Sequence, residues 1–424
     1  MQINRSGTSD KLACLPRQCA GAMPPDGSPH RRPAQMLSCR PETLQLRKIA
    51  IAAICPWRYC NLAIGAAVGL CYGLMRKAVD PGGSKLRILI VRLSALGDVI
   101  HTMPLACALR DCLPQATIGW LVEDRFADLL EGHRAVDILL TVQRRWLCRP
   151  GEVLRLRDRL RRLQFDVAID AQGLTKSALA AWLSGAKRRI GYGRPWGREL
   201  SRWLNNELVD TRSVHAVPRH LELLAPLGVT APAVEFSVPI DSKAQQAADT
   251  LLGELGIANR YVVIHPGASW PSKRWPADRY AAVAVHLARR WKLPVLVLSG
   301  SRQEQQTAAQ LAAALPEMIQ PAPLLTLKQL AAVLRGARLY LGSDSGPLHL
   351  AAAVGVPCVG LYGPWPAEGH GPYGSQHLVV QKAVCPGGTR QRRRASSRYI
   401  EAIDVESVCR ACDAILESAA VRAA

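Results

Sequence analysis

From Leu86 onward, short apolar runs alternate with longer amphipathic ones. LRILIVRL is a β-branched run, and the helical stretch VIHTMPLACALRDCL follows it. TIGWLVE and DILLTV read as strands on either side of a helical FADLLEGH. The basic amphipathic helix EVLRLRDRLRRLQ then leads into a further strand, FDVAIDAQ. Strands that are apolar throughout, separated by helical segments, predict a parallel sheet covered on both faces. The pattern fails between Gly228 and Lys243, where GVTAPAVEFSVPIDSK has no apolar period and carries Pro232 and Pro239. This is the expected interdomain linker.

The alternation then restarts. RYVVIHPG, PVLVLSG, RLYLGSD and CVGLYGP read as strands, the last as the closing one, and ADRYAAVAVHLARRW, RQEQQTAAQLAAAL, LKQLAAVLRGA and LHLAAAVG as helices. The expected fold class is α/β, with two doubly wound (Rossmann-like) domains at 85–235 and 236–424 behind an N-terminal extension, 1–84. In such sheets ligands bind beyond the carboxyl ends of the strands, so the cleft between the two units is the expected site.

The extension is different in kind. Residues 1–47 are rich in Pro, Arg, Ser and Gly without apolar periodicity, a disordered composition. The apolar stretch after it is interrupted by Pro56 and Arg58. Its clean run, Tyr59 to Leu74, falls short of the roughly 20 residues that a spanning helix needs. It reads either as a weak membrane anchor or as non-native sequence upstream of a start at Met75, and the short distance from Met75 to the first strand favours the second.

Composition narrows the chemistry. The 424 residues carry a formal net charge of +21, which implies anionic company: nucleic acid, acidic lipid or a phosphorylated substrate. Aromatic residues, at 5%, are too few for the stacking platforms of a single-strand nucleic-acid binder, leaving a small phosphorylated molecule or a lipid surface. The 13 cysteines are scattered, with one close pair at Cys409 and Cys412, and read as reduced thiols of a cytoplasmic protein rather than metal ligands.

The strand-end loops carry the candidate chemistry. In SDSGPLHLAAAVGVP, any of Ser343, Asp344 or Ser345 can cap a helix whose first turn holds Pro347 and whose far end meets Gly355. The amides and dipole of such an end suit a phosphate, Gly346 would let it approach, and His349 would face the same space; a capped helix without ligand is the alternative. In HPGASWPSKRW, Lys273 beside Arg274 could neutralise a diphosphate leaving group or be a solvated lysine. Glu304 in GSRQE could accept ribose hydroxyls or complement the helix dipole. Asp98 in SALGDVIH, after Gly97 and one turn before His101, could be a general base or an N-cap. With neither G-x-G-x-x-G nor G-x-x-x-x-G-K-[ST] in that loop, a dinucleotide dehydrogenase or a P-loop NTPase is disfavoured.

Together these loops resemble glycosyltransferase family 9, the lipopolysaccharide heptosyltransferases, and within it the heptosyltransferase I branch. The matching stretches are ILIVRLSALGDVIHTMPL, FDVAIDAQGLTKSAL, RRIGY, HAVPRHLELL, VVIHPGASWPSKRWP and LGSDSGPLHLAAAVGVPCVGLYGP, in that order. The resemblance implies a GT-B fold with an acceptor-binding first domain and a nucleotide-sugar-binding second. It implies inverting transfer, without metal or cofactor, of heptose from ADP-L-glycero-D-manno-heptose to Kdo of lipid A in inner-core synthesis. Asp98 matches the catalytic base and Lys273 the lysine facing the donor phosphates. Ser269, Glu304, Asp344, Ser345, Gly346 and His349 match donor contacts, and Ser94, Gly97, His101, Arg144 and Arg145 fall on the acceptor side. The implied protein is a monomer at the cytoplasmic face of the inner membrane, attached to an anionic surface and not to nucleic acid.

The chain departs from the family pattern in three places. The HPGASWPSK loop is one residue longer, the extension has no counterpart, and CPGGTRQRRRASSR replaces a short link. The RQRRR run reads as a solvated loop or a contribution to membrane attachment. Rival readings are a family 9 enzyme with another acceptor or sugar nucleotide, a nucleotide-sugar epimerase of the same architecture, and a non-catalytic membrane-associated binding protein.

Overall fold

The apolar runs form strands because each is buried on both faces: Ile88, Leu89, Ile90 and Val91 are fully shielded from solvent, as the central strand of a covered parallel sheet requires. The computed structural model describes residues 85–257 and 260–423. The extension, with its two readings and the disorder expected of 1–47, lies outside the described residues.

β1 (Arg87–Val91), β2 (Thr117–Glu123), β3 (Ile138–Val142), β4 (Val167–Asp170), β5 (Arg188–Tyr192) and β6 (Glu207–Val209) make one sheet in the order β3-β2-β1-β4-β5-β6. β7 (Val262–His265), β8 (Val295–Val297), β9 (Ile319–Pro321), β10 (Leu339–Ser343), β11 (Cys358–Tyr362) and β12 (Leu378–Gln381) make the other, in the order β12-β11-β10-β7-β8-β9. All ten pairings are parallel. Each sheet thus reverses its strand order once, between β1 and β4 and between β10 and β7. The loops after β1, β7 and β10 sit at those reversal points, where a crevice opens beyond the strand ends. Residues 229–240 join the halves without helix or strand.

Two expectations are corrected. FADLLEGH is not an α-helix but the 3-10 turn Asp124–Leu129. Its buried side chains, Phe126 and Leu129, are three apart, the period of a 3-10 turn. CVGLYGP is not the closing strand, because β12 pairs beyond it and forms the edge. With Leu378 and Val379 39% and 40% exposed, β12 is a short edge strand whose existence depends on its partner. β6 and β9, three residues each, are likewise held by β5 and β8.

The helix Leu96–Cys112 is buried continuously from Val99 to Leu109. A helix apolar all round belongs in the interior, and this one packs against the helix Gly346–Ala353 of the second half. Ile100, Met103, Leu348, Leu350 and Ala351 join one apolar cluster that reaches from β1 to β10. The two helices approach at their N-terminal ends, and glycine makes the approach possible. A Cβ on Gly97 would stand 2.4 Å from Cδ2 of His349, and one on Gly346 would stand 2.4 Å from Cδ2 of Leu96.

The Gly97→Ala and Gly346→Ala variants are therefore expected to lose about 1–3 kcal/mol of stability through overpacking. Gly253→Ala, at an exposed helical position with no atom within 4 Å of the new methyl, should gain about 0.5–1 kcal/mol. Denaturant unfolding of the three variants checks both signs.

Candidate functional site

A cleft of about 270 Å³ opens where the strand ends of the two sheets face each other. From the first half, Ala95, Gly97, Asp98 and His101 line it; from the second come Ser269, Trp270, Lys273, Asp344, Ser345, Gly346, His349, Trp365, His370 and Arg393.

Asp98 is the third residue of its helix rather than the N-cap. Its carboxylate accepts the Ala95 N–H at 3.1 Å and pairs with Arg92 Nη2 at 2.8 Å. Arg92 is buried at the end of β1, where its other guanidinium nitrogen donates to the Ala171 carbonyl. Burial pushes the Asp98 carboxyl up, but Arg92, His370 and the Ala95 amide outweigh it and hold the group below the ordinary carboxylate value. Asp98 is thus ionised at neutral pH while its side chain stays 35% exposed to the cleft. His370, lowered to about 4 mainly by burial, is neutral there.

On the opposite wall Lys273 contacts Asp344 directly, and His349 Nε2 lies 3.6 Å from the other carboxylate oxygen. Burial again works against the charged form, yet Lys273 and His349 hold Asp344 well below the carboxylate range. Of the three proposed caps, Ser345 takes the position, in extended backbone and without a side-chain cap bond. Ser343 is buried at the end of β10, within 3.0 Å of the Tyr280 hydroxyl. Ser345 and Gly346 line the cleft, so the N-terminal end of the Gly346–Ala353 helix, with the positive end of its dipole, opens on it.

His101 and His349 stack edge to face, 4.4 Å between ring centroids. Burial first, and the neighbouring His349, His215 and His370 next, keep His101 far below an ordinary imidazole. His215 accepts the Val217 N–H on Nδ1, leaving Nε2–H to donate to the Gly371 carbonyl at 3.0 Å, a bond between the two halves.

Not every candidate comes to the cleft. Ser269 lines it, but Glu304 stands behind it. There it accepts the Gly300 N–H at 2.7 Å and lies 3.6 Å from His265 Nε2, against Gly267. His265 foremost, then the Gly300 amide, holds its carboxyl below the usual value despite burial. Ser94 accepts from Lys176, which also pairs with buried Glu123 at 3.1 Å. Arg144 and Arg145 are exposed in the turn after β3, outside the cleft lining. Arg92, Trp270, Trp365 and His370 were not singled out in the sequence, and Arg393 entered only as part of the RQRRR run. An arginine closing an otherwise apolar strand was a usable signal for Arg92; the others required the fold.

With this geometry in place, the comparisons are specific. The model of glycosyltransferase family 9 (heptosyltransferase) matches residues 153–399. The lipopolysaccharide heptosyltransferase 1 of Pseudomonas aeruginosa is 34% identical over 304 residues, covering 69% of this chain and 83% of that protein. The E. coli heptosyltransferase WaaC with ADP-2-deoxy-2-fluoro heptose superposes with TM-score 0.62 at 28% identity, over 76% of this chain and 98% of that one. A family 9 glycosyltransferase from Veillonella parvula shares the fold, with TM-score 0.68 at 23% identity over 78% and 98%. The family model, the relatives and the two parallel sheets agree: the chain belongs to glycosyltransferase family 9 and is a heptosyltransferase I-like enzyme of lipopolysaccharide core synthesis.

Proposed function

We propose that this enzyme transfers heptose from ADP-L-glycero-D-manno-heptose to a Kdo residue of lipid A, with inversion and without a metal. The observation that carries the reading is the meeting, in one cleft, of Asp98 from the first sheet with Lys273 and the Ser345–Gly346 helix end from the second. The ADP-2-deoxy-2-fluoro heptose that accompanies the similar WaaC structure supports the donor class. Asp98 takes the proton of the acceptor hydroxyl as its oxygen bonds to the anomeric carbon, and the bond to the diphosphate breaks on the opposite face. ADP leaves with the electron pair, its charge met by Lys273 and the helix amides. In this reading the first half (85–235) presents the acceptor and the second (236–424) the donor. Ser269, Asp344 and His349 serve the donor side, and Gly97 and His101 the floor under the acceptor. Glu304 meets the ribose where the donor extends beyond the cleft lining, while Ser94, Arg144 and Arg145 meet the anionic acceptor as it extends from the cleft.

The surface supports attachment to an anionic membrane from the cytoplasmic side. Among the described residues no helix is long and apolar enough to cross a membrane. The first half does present Trp203 and Trp182, 83% and 48% exposed, on helices Ser201–Leu204 and Thr175–Leu183 that pack together, with Leu200, 58% exposed, at the N-cap of the former. The arginine-rich helix Pro150–Arg162 packs beside the second of these. Cations at such a surface contribute about 1 kcal/mol each and interfacial tryptophans anchor.

Three outcomes test this. Asp98→Asn should lower kcat for heptose transfer by about 100-fold or more while ADP affinity, measured by calorimetry, stays near normal; a variant with ordinary turnover would remove Asp98 from the base role. Arg92→Met leaves burial unopposed by its main cation, so Asp98 should bind its proton more tightly. The acid limb of kcat/KM then moves to higher pH, and an unmoved limb would separate Arg92 from the reaction. Trp182→Ser combined with Trp203→Ser should reduce sedimentation with anionic vesicles without lowering transfer to a water-soluble Kdo acceptor.

A further inference from the structure

The segment from Cys385 to Arg398 stands where the family resemblance has only a short link, and it is not a loose solvated loop. The Cys385 N–H donates to the Pro364 carbonyl at 3.1 Å. Arg392 Nε donates back to the Cys385 carbonyl at 3.2 Å, and the Arg392 guanidinium lies 5.9 Å from the centre of the Trp365 ring. Trp365 is itself steadied by Gln381, which donates to its carbonyl at 2.7 Å and to that of Gly363 at 3.0 Å. Arg392 is thus a strut that ties the segment to the loop after β11. The next residue, Arg393, is thereby carried into the cleft lining, its guanidinium carbon 5.7 Å from the centre of the Trp270 ring. Trp270 belongs to the lengthened loop that holds Lys273, so two of the three departures from the family pattern meet here.

The charges of the cleft make the position informative. Asp98 is matched by Arg92 and Asp344 by Lys273, while His101 and His370 are neutral at neutral pH. No carboxylate among the described residues pairs with Arg393. An unmatched guanidinium beside a helix N-terminus leaves a net positive wall, and a guanidinium fork suits phosphate oxygens. We propose that Arg393 is a second diphosphate-holding cation for the donor, delivered by the Cys385–Arg398 segment and aligned by the face of Trp270. The proposal rests on the nucleotide-diphosphate donor put forward above and adds a binding group to it. Arg393 and Lys273 line the same cleft, and a diphosphate bound there would offset the repulsion between the two cations. The aromatic wall aligns the fork through a cation–π contact.

The test is calorimetric titration of Arg393→Gln, Arg393→Lys and Arg394→Gln with ADP and with adenosine, on full-length protein checked for unchanged melting. Arg393→Gln should weaken ADP binding by about 10-fold or more and leave adenosine binding unaltered. Arg393→Lys should recover part of the loss, since it keeps the charge without the fork, and Arg394→Gln, whose side chain is exposed outside the cleft lining, should match wild type. ADP affinity unchanged in Arg393→Gln would overturn the assignment. So would equal losses in Arg393→Gln and Arg394→Gln, which would mean a diffuse field and not a contact. Wild-type protein that binds no ADP at all would instead sink the donor reading on which the proposal stands.

Discussion

The close approach of two helix ends sets the terms for everything else in this molecule. Gly97 lies under His349 and Gly346 under Leu96, with no room for a methyl at either place. Helix N-termini from separate sheets therefore converge, and each brings unsatisfied amides and the positive end of a dipole. Convergence of like ends is electrostatically unfavourable when the space is empty. It becomes favourable when acidic side chains or a bound anion occupy it. Asp98 and Asp344 sit at the two ends and supply part of that compensation.

Each acid is then matched to a cation of a different kind, and the difference has consequences. Arg92 is buried at a strand end and fixed by both Asp98 and the Ala171 carbonyl. It can hold a carboxylate ionised but cannot follow a ligand. Lys273 lies on the short 3-10 turn Pro271–Lys273, with a flexible side chain that contacts Asp344. An incoming diphosphate can compete for that ammonium without dismantling a strand. Under the proposed mechanism, the fixed partner suits the carboxylate that would act as base, and the movable lysine suits the wall that would meet the diphosphate.

Much of this was legible in the chain because the governing patterns are local. Buried parallel strands announce themselves as uninterrupted apolar runs, and glycine, proline and acid at strand ends mark the crevice loops. The short edge strands β6, β9 and β12 were not legible, because their pairing lies with distant partners and not in their own period. The 3-10 turn at Asp124–Leu129 was mistaken for a helix because two apolar residues three apart suit both. Glu304 and the pair Arg144–Arg145 show a further limit. A motif identifies a loop, but only the packed structure decides whether its side chain stands at the front of the wall or behind it. Arg393 was hidden for the opposite reason: a basic run in an unusual segment looks solvated until its neighbour Arg392 is seen tied to Trp365.

The bonds between the halves give a reason why Asp98 and the proposed anion-holding group are divided between two sheets. Beyond the glycine contacts, the His215 Nε2–H bond to Gly371 and the stacking of His215 on Tyr373, 5.2 Å between centroids, tie the loop after β11 to the first half. That same loop carries His370 beside Asp98 and Trp365 beside Lys273. In the proposed mechanism, a donor held by the second half would thus be sensed, through one loop, at Asp98 on the first. Were both groups on a single sheet, the proposed base would stand ready against water whenever a donor was bound. Placing them on separate sheets makes the proposed geometry depend on how the halves meet, and the edge-to-face rings of His101 and His349 lie at that contact.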